Sequence, residues 1–180
     1  LTAKEIINVV KRGESEVLFY AEKYEQYVEE FKKELPNVKY YIGFARENDE
    51  GNVLSYDSFK ASGKEKYEAG DKTYTSIEHN DTNKLKMLVF TSGTTGNPKG
   101  VMISFGNIYS QLRDFESMFK ITSKHTLLSI LPLNHLLELD CGFFGMLYMG
   151  AKIVYIKSLN PKELTSTMKE KGITNMIVVP

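Results

Sequence analysis

The sequence predicts an α/β fold, a mostly parallel sheet with flanking helices. Short apolar stretches of strand length alternate with segments of helical period along the chain. Thr and Asn caps mark two helix starts, and Gly and Pro mark helix ends. No internal repeat and no low-complexity segment interrupts the alternation. Parallel strands joined by right-handed helical crossovers are then the simplest arrangement.

The elements follow in order. Thr2-Ala3-Lys4-Glu5 is a capping box that opens an amphipathic helix through 10, and Gly13 ends it. Residues 17–20 read as a buried strand. A charged helix over 21–35 carries the apolar stripe Tyr24, Val28 and Phe31, presents its charges to solvent and is stopped by Pro36. Residues 40–44 are a strand, 47–52 a polar turn, and 56–67 a helix interrupted by Gly63. The polar stretch from there to 83 is a connector. His79 within it, and His125 further on, read as surface or capping residues.

Strands over 86–90 and 101–104 stand on either side of a polar loop, and a helix over 108–119 follows. Next come a strand at 126–130, a helix over 133–149 ended by Gly150, and a strand at 152–156. Asn160-Pro161-Lys162-Glu163 combines an N-cap, an N1 proline and a capping Glu. The helix it opens is closed by Gly172 before a last strand at 175–179.

The loop carries the chemistry. Thr91-Ser92-Gly93-Thr94-Thr95-Gly96-Asn97-Pro98-Lys99-Gly100 directly follows an apolar strand. Gly93, Gly96 and Gly100 permit positive φ and leave no Cβ in the way, so several backbone N–H groups can converge on one anion. The hydroxyls of Thr91, Ser92, Thr94 and Thr95 add donors, and Lys99 adds a point charge on a flexible stem. This is the composition of a polyphosphate grip. It is not a Walker A loop, which needs Ser or Thr straight after Gly-Lys at the start of a helix. Pro98 removes a backbone donor and stiffens the second half of the loop. A Ser/Thr/Gly turn in a surface hairpin is the competing reading.

Phe90-Thr91-Ser92-Gly93-Thr94-Thr95-Gly96-Asn97-Pro98-Lys99-Gly100-Val101 resembles the signature phosphate loop of the adenylate-forming enzymes. That superfamily contains acyl-CoA synthetases, peptide-synthetase adenylation domains and luciferases. The resemblance implies ATP-dependent activation of a carboxylic acid to an acyl-adenylate, release of pyrophosphate, and transfer of the acyl group to a thiol. ATP, a carboxylic acid and coenzyme A would be the partners, with Mg²⁺ as the metal. Thr91, Ser92, Gly93, Thr94, Thr95, Gly96 and Lys99 are assigned to the ATP phosphates. Lys99 is the candidate catalytic cation, and Thr91 is also a candidate Mg²⁺ ligand.

A second stretch, Ile130-Leu131-Pro132-Leu133-Asn134-His135-Leu136-Leu137-Glu138-Leu139, resembles the family's next motif. There a Pro-Leu-x-His element opens a helix lining the acid pocket. The version in long-chain fatty acid–CoA ligases resembles Leu-Pro-Leu-Ser-His followed by Glu, so His135 and Glu138 point toward fatty acids. His135, Glu138 and Gly142 are assigned to the acyl pocket, with Gly145 as another point of close approach; both glycines alternatively serve tight helix packing. Read by spacing alone, His135 and Glu138 lie three apart on one helical face and lack the second His of a zinc helix. A hydrogen-bonded structural His is the other reading. One departure stands out in Ser104-Phe105-Gly106-Asn107, where the family commonly shows Thr-His-x-Asn. Phe105 replaces that His, so no catalytic role is assigned there.

Composition narrows the rest. Lys and Arg number 23 and Asp and Glu number 23, with no basic stripe, which argues against nucleic acid and acidic lipid as direct partners. The single Cys141 lies in an apolar stretch without a base at a known spacing, the setting of a buried structural thiol in a reducing, cytoplasmic compartment. The longest apolar run, 141–151, is too short to span a bilayer, and no signal peptide is visible.

A chain of 180 residues is long enough for one globular domain. It runs from Leu1 to Pro180, straight after an apolar strand, and is expected to be a piece of a larger protein. The resemblance makes residues 1–180 part of one large N-terminal domain, with 1–83 an α/β lead-in and 84–180 the phosphate loop and acyl pocket. The adenine and ribose sites, the acidic Mg²⁺ ligand, the hinge and the C-terminal lysine would lie outside it, and the piece alone would be inactive. A single doubly wound domain is the simpler alternative to the stacked subdomains of that family.

Other functions compete. An amino-acid adenylation domain of a peptide synthetase is the alternative within the class. A non-catalytic nucleotide-binding module is a second. A nucleotide hydrolase would need a Walker-type lysine and a water-positioning carboxylate, which the sequence lacks.

Overall fold

Thr2 caps the first helix in both directions. Its hydroxyl accepts from the Glu5 N–H at 3.3 Å and its own N–H donates to the Glu5 carboxylate at 2.6 Å, starting α1 (Ala3–Arg12) where the capping box predicts. The structure, a computed structural model, describes residues 1–77, 81–91 and 98–179. It divides into two compact units, Leu1–Asn80 with Phe90–Gly100 and Asp81–Val89 with Val101–Pro180.

In the first unit, β1 (Val17–Tyr20), β2 (Tyr40–Gly43) and β3 (Val53–Ser55) form a parallel sheet in the order β1-β2-β3. The expected helix over 21–35 arrives in two pieces, a 3-10 helix Glu22–Tyr27 and then α2 (Val28–Glu34). Neither piece has a side-chain cap at its start, so packing holds them more than local signals do. Val28 and Phe31 of α2 are buried with Ile7, Val10, Tyr41 and Val53. The Tyr41 hydroxyl lies within donor reach of the Phe31 and Leu35 carbonyls at 3.2 and 3.1 Å, at the C-terminal end of α2.

Sequence reading missed β3. It is three residues long, and Gly51, at φ +60°, makes the turn that leads into it. Gly63 does not interrupt α3 (Tyr56–Glu68), a helix with no buried side chain. The Asp49 carboxylate accepts from the Ser55 N–H at 2.7 Å and the Ser58 hydroxyl at 2.6 Å, fixing the start of that helix. His79 lies outside the described residues.

β4 (Leu85–Thr91) and β5 (Lys99–Ser104) pair as a two-stranded sheet. α4 (Phe105–Met118) begins in a capping box, the Asn107 N–H donating to the Ser104 hydroxyl at 3.2 Å and the Ser104 N–H to the Asn107 side chain at 2.9 Å. In the second unit β6 (Thr126–Ser129) is the buried centre of a parallel sheet, flanked by β7 (Lys152–Tyr155) and β8 (Asn175–Met176). β8 is shorter than the expected 175–179. His125 accepts from the Thr122 N–H through Nδ1 at 3.0 Å, a turn-capping role. α6 (Pro161–Lys171) is capped by Asn160 and closed by Gly172 at φ 60°, as the sequence predicts. The helix after β6 is α-helical at Leu136 and Leu137, π-helical over Glu138–Gly145, and ends in α5 (Met146–Tyr148). Parallel sheets with flanking helices make this the α/β architecture expected.

Candidate functional site

Two strand ends frame the loop. β4 ends at Thr91 and β5 begins at Lys99, so their pairing brings the loop's flanks together. Thr91 and Lys99 are both exposed, and the Lys99 ammonium has no hydrogen bond or ion pair among the described residues. Ser92, Gly93, Thr94, Thr95 and Gly96 lie outside the described residues. An exposed ammonium and a strand-end hydroxyl fit the terminal phosphates of a nucleotide. No cluster of three His, Cys, Asp or Glu occurs among the described residues. Mg²⁺ would take its remaining ligands from phosphate oxygens and water, as it commonly does.

The acid-pocket motif separates into an exposed and a buried part. The Pro132 carbonyl accepts from the His135 N–H at 2.9 Å, and the helix proper opens one residue later. His135 is therefore exposed, while Glu138 is only 1% exposed. The three-residue spacing does not bring them onto one face, a correction that follows from where the helix starts. The Glu138 Oε1 accepts from the Ser129 hydroxyl at 2.5 Å, and Oε2 has no partner among the described residues.

Gly142 and Gly145 are both buried against side chains. A Cβ on Gly142 would lie 2.7 Å from the Glu138 carboxyl carbon, and one on Gly145 would lie 3.1 Å from the Phe115 ring. Both positions thus have the geometry of tight packing. Phe105 stacks on Tyr109 with ring centroids 6.3 Å apart.

An apolar cavity of the second unit holds about 580 Å³. β4 and β5 wall it with Met87, Val101 and Ile103, α4 with Ile108, and the π-bearing helix with Leu137 and Phe144. Asn107, Gln111, Asp140 and Cys141 supply its polar atoms. His135, Glu138 and Gly142 are not in this lining. Sequence reading passed over Gln111 and Asp140, although Leu136, Asp140 and Phe144 recur every fourth residue, a helical spacing visible beforehand. Burial pushes the Asp140 carboxyl up. Burial first, then the charges of Asp140 and Glu138, pushes the Cys141 thiol up as well. A raised thiol pKa leaves less of Cys141 as thiolate, the reverse of what an activated nucleophile needs.

The AMP-binding enzymes match residues 1–180. This chain belongs to the AMP-binding enzyme family. A human long-chain-fatty-acid–CoA ligase is 35% identical to it over 131 residues, 72% of this chain and 19% of the human protein. Among solved structures, MbtA of Mycobacterium smegmatis superposes with a TM-score of 0.82 at 21% identity, over 98% of this chain and 32% of that one. MenE of Bacillus subtilis, an O-succinylbenzoate coenzyme A synthetase solved with ATP and magnesium, gives 0.68 at 22% identity, over 98% and 32%. At such identities the two structures share the fold of this AMP-binding chain. The chain spans a third or less of each of these proteins.

Proposed function

We propose that this AMP-binding chain carries the phosphate loop and the acid-binding cavity of a ligase. The ligase activates a carboxylic acid with ATP to an acyl-adenylate, releases pyrophosphate and passes the acyl group to coenzyme A. A long-chain fatty acid is the favoured acid. The cavity carries this reading. Its walls are apolar and its polar groups few, so it removes an alkyl chain from water, at about 0.8 kcal/mol per buried methylene.

In the adenylation step a carboxylate oxygen attacks the α-phosphorus in line and pyrophosphate leaves. Negative charge grows on the bridging oxygen, and the Lys99 ammonium is the cation this chain supplies to meet it. Thr91, Ser92, Gly93, Thr94, Thr95 and Gly96 hold the phosphates through hydroxyls and backbone N–H groups. Mg²⁺, when bound, neutralises phosphate charge, with Thr91 as its ligand from this chain. His135, at the opening of the cavity-lining helix, is assigned to the carboxylate end of the acid, and Glu138 and Gly142 to the wall from behind. Cys141 has no disulfide partner, which suits a reducing cytoplasm. Among the described residues no helix is long and apolar enough to cross a membrane.

One observation favours a second reading, an amino-acid adenylation domain. Asp140 sits in the cavity, where a carboxylate would meet a substrate amino group. The upward push on its pKa works against the charged form and so against this reading.

The test is ATP–pyrophosphate exchange by the full-length protein across fatty, aryl and amino acids. Exchange driven by long-chain fatty acids is expected. Exchange driven by amino acids alone would favour the second reading, and none with any acid would leave a non-catalytic nucleotide-binding module.

A further inference from the structure

Glu138 is the one charged side chain among the buried residues of the described chain. Burial of a carboxylate with an unpartnered oxygen is costly, and an apolar residue of the same size would avoid that cost. The carboxylate is nonetheless held from two sides. The Ser129 hydroxyl at the end of β6 donates to Oε1, and the missing side chain of Gly142 leaves the space the carboxyl fills. Glu138 and Gly142 lie four apart within the π-helical stretch. A π-helical turn is a rare conformation that recurs where function requires it. Leu139, Asp140, Cys141 and Phe144 of the same stretch line the cavity.

We infer that Glu138 is a positioning residue: its carboxylate, tied to Ser129 and seated on Gly142, fixes the π-helical turn and so decides which side chains of this helix face the cavity. The tie acts as a peg between strand and helix. Without it the helix is free to relax to ordinary α-helical turns, which rotate Asp140, Cys141 and Phe144 relative to the cavity. The consequence for acid selectivity rests on the acid-activating function proposed above, whereas the consequence for the helix does not.

Two readouts on the full-length protein separate these consequences. Peptide-resolved alkylation of Cys141 by a maleimide reports the helix register without any need for activity. Acid-dependent ATP–pyrophosphate exchange reports selectivity. Gly142→Ala, which puts a methyl group where the carboxyl sits, is expected to change the Cys141 alkylation rate severalfold. It should also raise KM for the acid about tenfold while KM for ATP stays put. Ser129→Ala moves both readouts in the same direction and carries the test if Gly142→Ala does not fold. Glu138→Gln, which keeps an acceptor for Ser129, recovers the alkylation rate that Glu138→Ala loses. In the Glu138→Ala background the added cost of Gly142→Ala in stability shrinks, because the clash is gone.

Equal Cys141 alkylation across the folded variants would overturn the inference, as would a Glu138→Gln protein as altered as Glu138→Ala. Should the wild-type protein exchange with no acid, the proposed function fails, and the Cys141 rates still decide the role of Glu138.

Discussion

Arg12, the last residue of α1, donates a hydrogen bond to the carbonyl of Pro98, 86 positions further along the chain. The same guanidinium lies over the Phe90 ring, 5.9 Å from its centroid. Phe90 and Pro98 flank the candidate phosphate loop, so one side chain fastens both of its ends. Arginine suits the task because its planar fork donates at the edge while its face stacks on an aromatic ring. Proline has no N–H, and its carbonyl is the backbone group available to be held.

Arg12→Ala should therefore loosen the loop flanks by about 0.5–1 kcal/mol. In the full-length protein that registers as a severalfold rise in KM for ATP with a smaller change in kcat. Arg12→Lys keeps the charge but loses the fork and should recover only part of the loss. Exchange kinetics unchanged in Arg12→Ala would show that this contact does not act on the loop.

Lys99→Ala tests the cation itself. Loss of one group that meets developing charge costs about a hundredfold to a thousandfold in rate. kcat/KM for ATP should fall within that range in an exchange assay, and an unaltered value would take Lys99 off the site.

Leu137 and Cys141 line both the cavity of about 580 Å³ and a neighbouring one of about 210 Å³ walled by Phe115, Leu127 and Met146. Trimming Leu137→Ala should join the two spaces and move the preferred acid to a longer chain. At 37% exposure for Leu137, the stability cost should fall near the low end for such changes, about 2 kcal/mol. An exchange profile across chain lengths that matches wild type would defeat the assignment of this cavity to the acid.

Two glycines should respond in opposite ways. A Cβ on Gly43 would lie 2.8 Å from the Tyr20 hydroxyl and 2.9 Å from the Arg46 Cβ, so Gly43→Ala should destabilise the fold by about 1–3 kcal/mol. Gly63 sits within α3, and a Cβ there would meet nothing within 4 Å; Gly63→Ala should stabilise by about 0.5–1 kcal/mol. Urea unfolding of the two variants checks both signs at once.

Tyr20 predicts a loss of stability in alkali. Burial, with the Glu25 carboxylate adding to it and Arg46 opposing, pushes its phenol up to about 12. The folded protein holds this proton more tightly than the unfolded chain does. The contribution is full below the ordinary tyrosine value of 10.0 and is lost as pH rises from there to about 12. Tyr20→Phe should flatten the fall in urea stability between the ordinary tyrosine value of 10.0 and about 12, and identical slopes in the two proteins would show that Tyr20 does not contribute.

Local chemistry was legible. Thr2 with Glu5, and Asn160 with Pro161 and Gly172, set helix ends through contacts a few residues apart, so the sequence shows them directly, whereas α4 starts at Phe105 under its Ser104 cap, ahead of the expected start at 108. The apolar runs of β1 and β6 read as strands; β6 is buried throughout, whereas β1, expected to be buried, buries only Tyr20 and leaves Val17 and Phe19 exposed. The loop around Lys99 was legible because a phosphate grip needs particular residue types in sequence order. Its central residues, 92–97, lie outside the described structure, so their assignment still rests on that order.

Tertiary structure decided what depends on distant partners. The division of residues 21–35 into two helical pieces reflects packing on the sheet, where caps are lacking. By spacing Glu138 shares a helical face with His135, yet Ser129, nine positions away, and the empty side of Gly142 draw its carboxylate inward. Gln111 and Asp140 became cavity residues only once α4 and the π-bearing helix faced each other. By itself the sequence determined the alternation of elements, the capped helix starts at Thr2 and Asn160 and the phosphate-gripping composition, since these follow from short-range preferences. Only the fold decided which side chains share a cavity or a buried tie, because those free energies arise from contacts between residues far apart in the chain.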